Sequence, residues 1–229
     1  MRSTHLLLVL SLGVIAWSGV APHDREDWLL ENALVAVALP LLVLGYRSLR
    51  FSNGSYLALF ALLCLHEVGA HFTYSMVPYA EWLGQLGFAH TELRVSRNGY
   101  DRWVHFAYGV LVMPATLELF ARRAPAAGIW RYLFPLTFVM GHSVIYELVE
   151  GAAASIFGGN LGQAYLGTQG DPWDAQKDML MASAGAAVAL LAVAVITRYR
   201  ASLMRKDGRS ARPAPVHVPD GQGAPPSRP

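Results

Sequence analysis

Six long apolar stretches, separated by short polar segments, dominate the sequence and limit what the chain can fold into. A helix that crosses a bilayer needs about 20 mostly apolar residues. Hydrophobic residues make up 54% of the 229 residues and charged residues only 15%, which is too apolar for an ordinary soluble domain. We therefore predict an all-α, polytopic membrane helix bundle with spans at residues 5–21, 30–46, 55–76, 103–120, 132–157 and 179–197.

The first apolar stretch has two interpretations. It starts after a basic residue and ends in small residues before the sequence APHD, which is the pattern of a cleaved secretory signal. Pro22, directly after the expected cleavage position, and the length of the stretch favour a retained helix. We predict a retained first helix, with signal cleavage as the alternative.

The loops differ in charge between the two sides of the predicted bundle. A basic residue precedes the first span, and basic residues occupy every second loop and follow the last span, whereas the alternate loops are acidic or mixed. Because short basic loops stay in the cytoplasm, both termini are predicted to be cytoplasmic. The basic positions are Arg2, Arg47, Arg50, Arg122, Arg123, Arg131, Arg198, Arg200, Arg205 and Lys206.

The composition changes near residue 200. Residues 1–200 hold the apolar stretches and form the predicted transmembrane bundle. Residues 201–229 are rich in Pro, Gly, Ser and Arg and contain few large apolar residues, so we predict a disordered cytoplasmic tail.

Ionisable side chains are costly inside a membrane, and here they fall at one predicted depth. Four spans carry them in the half that the predicted topology assigns to the outer leaflet. Helical spacing puts Glu67 with His71, and Asp101 with His105, on common faces. The whole group comprises His66, Glu67, His71, Asp101, Arg102, His105, His142, Glu147, Glu150, Asp171, Asp174, Lys177 and Asp178. We expect these side chains to meet in one chamber, with residues 171–178 at its rim.

Two kinds of chemistry fit this group. The acids, the imidazoles, Arg102 and Lys177 could form a structural hydrogen-bond network, or the imidazoles and carboxylates could bind a divalent Zn, Mn or Fe ion. The two fixed positive charges are few for the acids of the spans, which favours a cation. These five acids are Glu67, Asp101, Glu147, Glu150 and Asp178. The predicted metal ligands are His71, His105, His142 and either Glu150 or Asp178. Glu67 or Glu147 is the predicted general base.

Two familiar motifs are excluded by their spacing. The sequence HEVGAH has one residue too many between its histidines for the zinc-protease pattern. The glycine-rich GGNLGQAYLG lacks the Lys-Ser/Thr pair of a phosphate-binding loop.

The chain resembles the YjdF-like family of bacterial inner-membrane proteins in the stretches HEVGAHFTYSMVP, NGYDRWVHFAYG, YELVEG and YLGTQGDPWDAQKDM. The resemblance covers nearly all of the chain outside the tail. It implies a multi-pass protein of the bacterial inner membrane and supplies no mechanism.

Three classes of function remain open from the sequence. We favour a metal-dependent membrane hydrolase that acts on a lipid or lipid-linked substrate from the outer side, because a bound cation activates water and polarises carbonyl or phosphoryl oxygens. A cation or proton transporter would use the same groups as a relay, although the inner halves of the spans carry few ionisable residues. The third class is a structural protein with a buried polar network. The lipid bilayer is the expected environment, and no nucleic-acid partner is expected.

Overall fold

The computed structural model describes residues 2–87 and 97–210. Its helices are α1 (Arg2–Ser18), α2 (Arg25–Leu49), α3 (Asn53–Phe72), a 3-10 turn (Tyr74–Met76), α4 (Tyr79–Gln85), α5 (Tyr100–Arg123), α6 (Trp130–Phe157), α7 (Gly159–Leu166) and α8 (Asp174–Ser210). These two ranges contain no β-strand. The predicted all-α fold is confirmed.

Five of the helices, α2, α3, α5, α6 and α8, are long and apolar enough to cross a membrane. The first apolar helix is shorter and covers Thr4–Ser18. Large apolar side chains remain exposed on the spans; Leu44 of α2 is 81% exposed and Leu148 of α6 is 68% exposed. Such extensive apolar surface is expected where lipid, rather than water, surrounds the protein. The predicted polytopic helix bundle is confirmed.

The chain divides into two compact units, Met1–Leu191 and Ala192–Pro229. In the second unit α8 continues to Ser210, so residues 201–210 are helical rather than disordered as the sequence predicts. Six of these ten residues are Ala, Leu, Met, Arg or Lys, which favour helices. The rest of the predicted tail, residues 211–229, lies outside the described residues.

The first unit has two chemically different ends. At the basic end, Arg122 of α5 donates hydrogen bonds to the carbonyl oxygens of Leu49 and Arg50, which follow α2. At the other end, which we call the acidic end, the C-terminal parts of α3 and α6 meet the starts of α5 and α8. There Tyr100 of α5 donates to the carbonyl of Leu65 of α3 at 2.8 Å. The acidic end is defined by Asp101, Glu147, Glu150, Asp174 and Asp178.

Capping interactions determine where α3 begins at the basic end. The Ser52 hydroxyl accepts a hydrogen bond from the Ser55 amide at 3.2 Å, as a helix N-cap does. Glu118 of α5 accepts from the Ser52 amide and the Ser55 hydroxyl at 2.7 Å each. Its Oε2 also lies 3.1 Å from Arg122 Nη2 one turn along α5. Glu118 therefore joins α5 to the start of α3 and has a structural role.

Helices α5 and α8 approach each other most closely at two glycines. A Cβ added to Gly109 would lie 2.6 Å from the backbone nitrogen of Ala186 and closer still to the Ala182 carbonyl. A Cβ added to Gly185 would collide with the Phe106 carbonyl. Small residues allow membrane helices to pack in this way. Next to the crossing lies an apolar cluster of Met113, Val139, Ala186 and Ala189.

Candidate functional site

Three side chains at the acidic end have the spacing of metal ligands. Asp101 and His105 lie one turn apart on α5, Asp178 lies in α8, and one ligand atom from each is within 4.8 Å of the other two. His105 Nε2 is 3.5 Å from Asp101 Oδ1. Ligand atoms held tetrahedrally at about 2.1 Å from an ion are about 3.4 Å apart. The Asp101–His105 pair already has about this spacing, and Asp178 lies within 4.8 Å of both.

Glu147 reaches the same group from a third helix, α6. Its Oε1 lies 3.6 Å from His105 Nε2, and its side chain is 9% exposed. The buried Glu147 Oε1 and Asp178 Oδ1 have no hydrogen-bond partner among the residues that the structure describes. A buried carboxylate oxygen without a partner is costly, so both oxygens are suited to hold an additional ligand or water.

The rim of this group is built on Asp171, which precedes α8. Its Oδ2 accepts hydrogen bonds from Lys177 Nζ at 2.6 Å and from Arg102 Nη2 at 2.5 Å, and its Oδ1 accepts from the Trp173 amide at 3.1 Å. The bond from Lys177, followed by the Trp173 amide and then Arg102, holds the pKa of Asp171 well below its usual range. Asp171 thus stays ionised and links the start of α5 to the segment before α8.

Asp174 is the shared partner of two arginines, Arg97 and Arg102. Arg97 forms a salt bridge with Asp174 Oδ1, and Arg102 Nη2 lies 3.3 Å from the same oxygen. The closest approach of Arg102 to Asp178 is 4.0 Å, from Nε to Oδ1. Both arginines are therefore committed mainly to the rim rather than to the ligand group.

The inner acids of the acidic end are short of positive charge. Within the ranges that the structure describes, no Lys or Arg forms a salt bridge with Asp101, Glu147 or Glu150. Glu150 is buried, at 9% exposed. Buried charges are normally paired with an opposite charge or bound to a metal. Few of the inner acids are paired with a positive charge.

The structure does not bring two of the predicted ligands, His71 and His142, to this group. His71 Nδ1 lies 2.9 Å from the Ser18 carbonyl, and its ring stacks on Trp17 with centroids 4.9 Å apart. His142 is exposed, with Nδ1 2.9 Å from the Tyr108 hydroxyl. Residue spacing predicts which residues share a helix face but not how that face is rotated in the bundle. A common predicted depth in the membrane was therefore not enough to bring these histidines to the ligand group.

Glu67, one of the two predicted bases, belongs to a different buried group. It is 0% exposed, and its Oε2 accepts a hydrogen bond from the Ser18 hydroxyl of α1. Ser18 Oγ in turn accepts from Trp28 Nε1 of α2 at 3.0 Å. Glu67 therefore links the first three helices and is not adjacent to the metal-type ligands.

The sequence reasoning missed the acids of α2. It began the second span at residue 30 and assigned the preceding HDREDW to an acidic loop, but α2 begins at Arg25. Asp27 is consequently helical, and both Asp27 and Glu31, which lies within the predicted second span, are buried, at 1% and 4% exposed. Thr73 Oγ1 donates to Asp27 Oδ2 at 2.7 Å. Their four-residue spacing was the signal that could have identified a buried acidic face.

A small polar recess brings Glu31 of α2 close to Asp101 of the ligand group. It is lined by Glu31, Tyr74, Asp101, Tyr146, Glu150, Tyr165 and Gly167. Burial raises the pKa of the phenols of Tyr74 and Tyr165, so both are neutral hydroxyl groups at ordinary pH. The Tyr74 hydroxyl is 2.7 Å from His66 Nδ1. His66 therefore contacts a tyrosine that lines the recess and does not belong to the ligand group.

A large apolar cavity of about 460 Å³ begins at the ligand group. Asp101, His105 and Tyr146 line the end near the recess, and Tyr46 and Tyr56 line the part near the basic end. Leucine and valine side chains from α1, α2 and α3 form most of the wall between them. Polar ligand-type groups therefore open directly onto an apolar chamber.

Comparisons with known proteins agree with the fold. A family described as "Predicted membrane protein (DUF2238)" matches residues 3–199. The chain is 32% identical over 206 residues to the "Inner membrane protein YjdF" of Escherichia coli (strain K12), covering 88% of this chain and 91% of that protein. No solved structure matches the chain. The resemblance noted in the sequence is confirmed, and with its membrane-length helices the chain is a multi-pass protein of the bacterial inner membrane. It belongs to the DUF2238 family of predicted membrane proteins.

Proposed function

We propose that this protein is a metal-dependent membrane hydrolase that acts on a lipid or lipid-linked substrate. The observation that carries the proposal is the convergence of Asp101, His105 and Asp178 beside an apolar cavity. One imidazole and two carboxylates suit Zn, Mn or Fe. The unpaired oxygens of Asp178 and Glu147 and the missing cationic partners of the inner acids support a bound cation.

Glu147 is the proposed general base. Its unpaired Oε1 is close enough to His105 to accept a proton from a water molecule held beside that imidazole. The water oxygen would bond to a carbonyl carbon or phosphorus, the bond from that atom to the leaving oxygen would break, and the proton would pass from Glu147 to the leaving oxygen. The metal would supply the Lewis acidity that polarises the substrate oxygen.

The shape of the cavity supports an enzyme over a transporter. A transported cation needs polar groups along its whole route. Between the ligand group and the basic end most of the cavity wall is apolar, as at Leu39, Leu59 and Phe60. Polar side chains such as Ser11 and Ser143 are only scattered along it. Such a wall accepts hydrocarbon and disfavours an ion.

Metal analysis of the detergent-purified protein tests the proposal. We expect about one Zn, Mn or Fe ion per wild-type chain, and at least a tenfold weaker affinity in Asp178→Asn because a direct ligand is removed. His71→Ala is the matched control, since His71 lies against α1 and should leave the metal content unchanged. Wild-type protein that remains metal-free after incubation with each of the three ions would refute the proposal. Metal loss in His71→Ala but not in Asp178→Asn would refute this ligand set.

We further propose that the acidic end faces the outside of the inner membrane. The arginines Arg47, Arg50, Arg122 and Arg123 cluster at the opposite end, and basic loops remain in the cytoplasm. The two lysines of the sequence allow a direct test. A membrane-impermeant amine reagent applied to intact spheroplasts should modify Lys177, whose side chain is 47% exposed, and should modify Lys206 only after lysis. Peptide mass spectrometry reads out both sites, and the reverse pattern would contradict this orientation.

A further inference from the structure

We infer that the apolar cavity holds one long acyl chain of a single-chain carboxylic ester, with the ester group at Asp101 and His105. Hydrolysis of that ester rests on the proposed function, whereas binding of the chain does not require it. The inference is carried by the volume, length, opening and charge of the cavity.

The volume fits one chain. A dry apolar cavity of about 150 Å³ holds benzene, with its six carbons. By the same ratio, a cavity of about 460 Å³ holds roughly 18 carbons. This is the size of one common membrane acyl chain and is too small for the two chains of a diacyl lipid.

The length of the cavity agrees with its volume. Its lining on α2 extends from Leu34 to Tyr46, which at 1.5 Å per residue corresponds to about 18 Å. One leaflet of a bilayer has a hydrocarbon depth of about 15 Å. A chain that is extended in the membrane can therefore occupy the cavity without folding back on itself.

The cavity opens towards the lipid. Leu34 and Val43 line it, yet they remain 38% and 44% exposed in a membrane-length helix. A chain can consequently enter sideways from the bilayer and does not need to cross an aqueous phase.

The negative charge at the polar end of the cavity determines which chemical group the bound acyl chain can carry. Asp101 and His105 line the cavity and also belong to the ligand group. Glu147 lies beside them and Glu150 lines the adjoining recess, while the two arginines are held at the rim. These acids would repel a phosphate but would accept an uncharged ester.

Water would add to the ester carbonyl carbon, the bond to the alcohol oxygen would break, and that oxygen would receive the proton from Glu147. The carboxylic acid product would lose its remaining proton to water, and the resulting carboxylate would be repelled by the same acids.

Photo-cross-linking in native membranes tests the binding site. The probe is a hexadecyl glycerol ether that carries a diazirine on the chain and cannot be hydrolysed. We expect cross-links to α2 and α3 in the wild-type protein, reduced about tenfold in Ala38→Trp because the indole fills the chain site. Ala36→Trp is the matched control, since Ala36 is also exposed on α2 but does not line the cavity. Hexadecanoyl monoacylglycerol should compete with the probe, and a diacyl phospholipid should not.

The outcomes separate this inference from the proposed function. Equal labelling of both Trp variants, or equal competition by the diacyl phospholipid, would overturn the acyl-chain site even if the protein contains its metal. Labelling that depends on position 38 in a protein that binds no metal would support the chain site and refute the hydrolase. Metal content measured in Ala38→Trp should match the wild type, which shows that the variant keeps its fold around Asp178.

Discussion

Glu147→Gln is expected to lower kcat for acyl-ester hydrolysis by roughly 100- to 10,000-fold, which is the usual contribution of a positioned general base. The amide keeps the size of the side chain but cannot accept the proton from water. The loss should appear in kcat with KM nearly unchanged, because the cavity that binds the chain is not altered. The measurement is steady-state hydrolysis of a hexadecanoyl ester by metal-loaded protein in nanodiscs.

Two comparisons make this result specific to the base. Glu147→Gln should retain the metal, whereas Asp178→Asn should lose metal and activity together. Glu81→Gln is the matched control, because Glu81 is exposed on α4 and lies outside the ligand group. Full activity in Glu147→Gln would remove Glu147 from the mechanism. Absence of ester hydrolysis by the metal-loaded wild type would contradict the inferred ester substrate.

Gly109→Ala should produce a large loss of stability for a substitution that adds a single methyl group. The added Cβ would meet the backbone of α8 at Ala182 and Ala186, and a backbone atom cannot rotate away as a flexible side chain can. Overpacking of this kind costs about 1–3 kcal/mol. For a chain of this size, that corresponds to a decrease in Tm of roughly 2–12 °C. Thermal unfolding in detergent, followed by circular dichroism, measures the change.

Gly141→Ala is the matched control for this substitution. A Cβ at position 141 of α6 has no neighbouring atom within 4 Å among the described residues, and Ala is the better helix former. We expect its Tm to equal or exceed that of the wild type. If Gly109→Ala and Gly141→Ala were equally stable, the close crossing of α5 and α8 would be wrong.

Predictions that depend on residues close together in the chain were correct more often than predictions that depend on contacts between distant segments. The membrane helices were predicted from local composition, since each span contains enough apolar residues within itself. The neighbouring positions of Asp101 and His105 followed from their spacing on one helix. The contact of His105 with Glu147 on α6 is different, because it requires the two helices to have particular rotations.

The same distinction explains the predicted ligands that do not converge. His71 was grouped with His105 by depth, but it faces Ser18 and Trp17 on α1. Depth along the membrane can be counted in residues, whereas the direction in which a side chain points depends on which neighbour packs beside it. For Asp27 the limitation was local: the start of α2 was predicted too late, so this buried acid was assigned to a loop. Glu31 lay inside the predicted second span but was not included in the predicted group of ionisable residues.

The sequence by itself determined that the chain forms membrane helices and that its ionisable groups collect at one end, because a backbone in lipid must satisfy its own hydrogen bonds and charged side chains are excluded from most of a span. Only the tertiary structure decided which of those groups meet and that an apolar cavity adjoins them. Close packing at Gly109 and Gly185 holds α5 against α8 and thus helps bring Asp101 and His105 towards Asp178. Contacts between segments far apart in the chain determine these helix rotations, and no local pattern of residues encodes them.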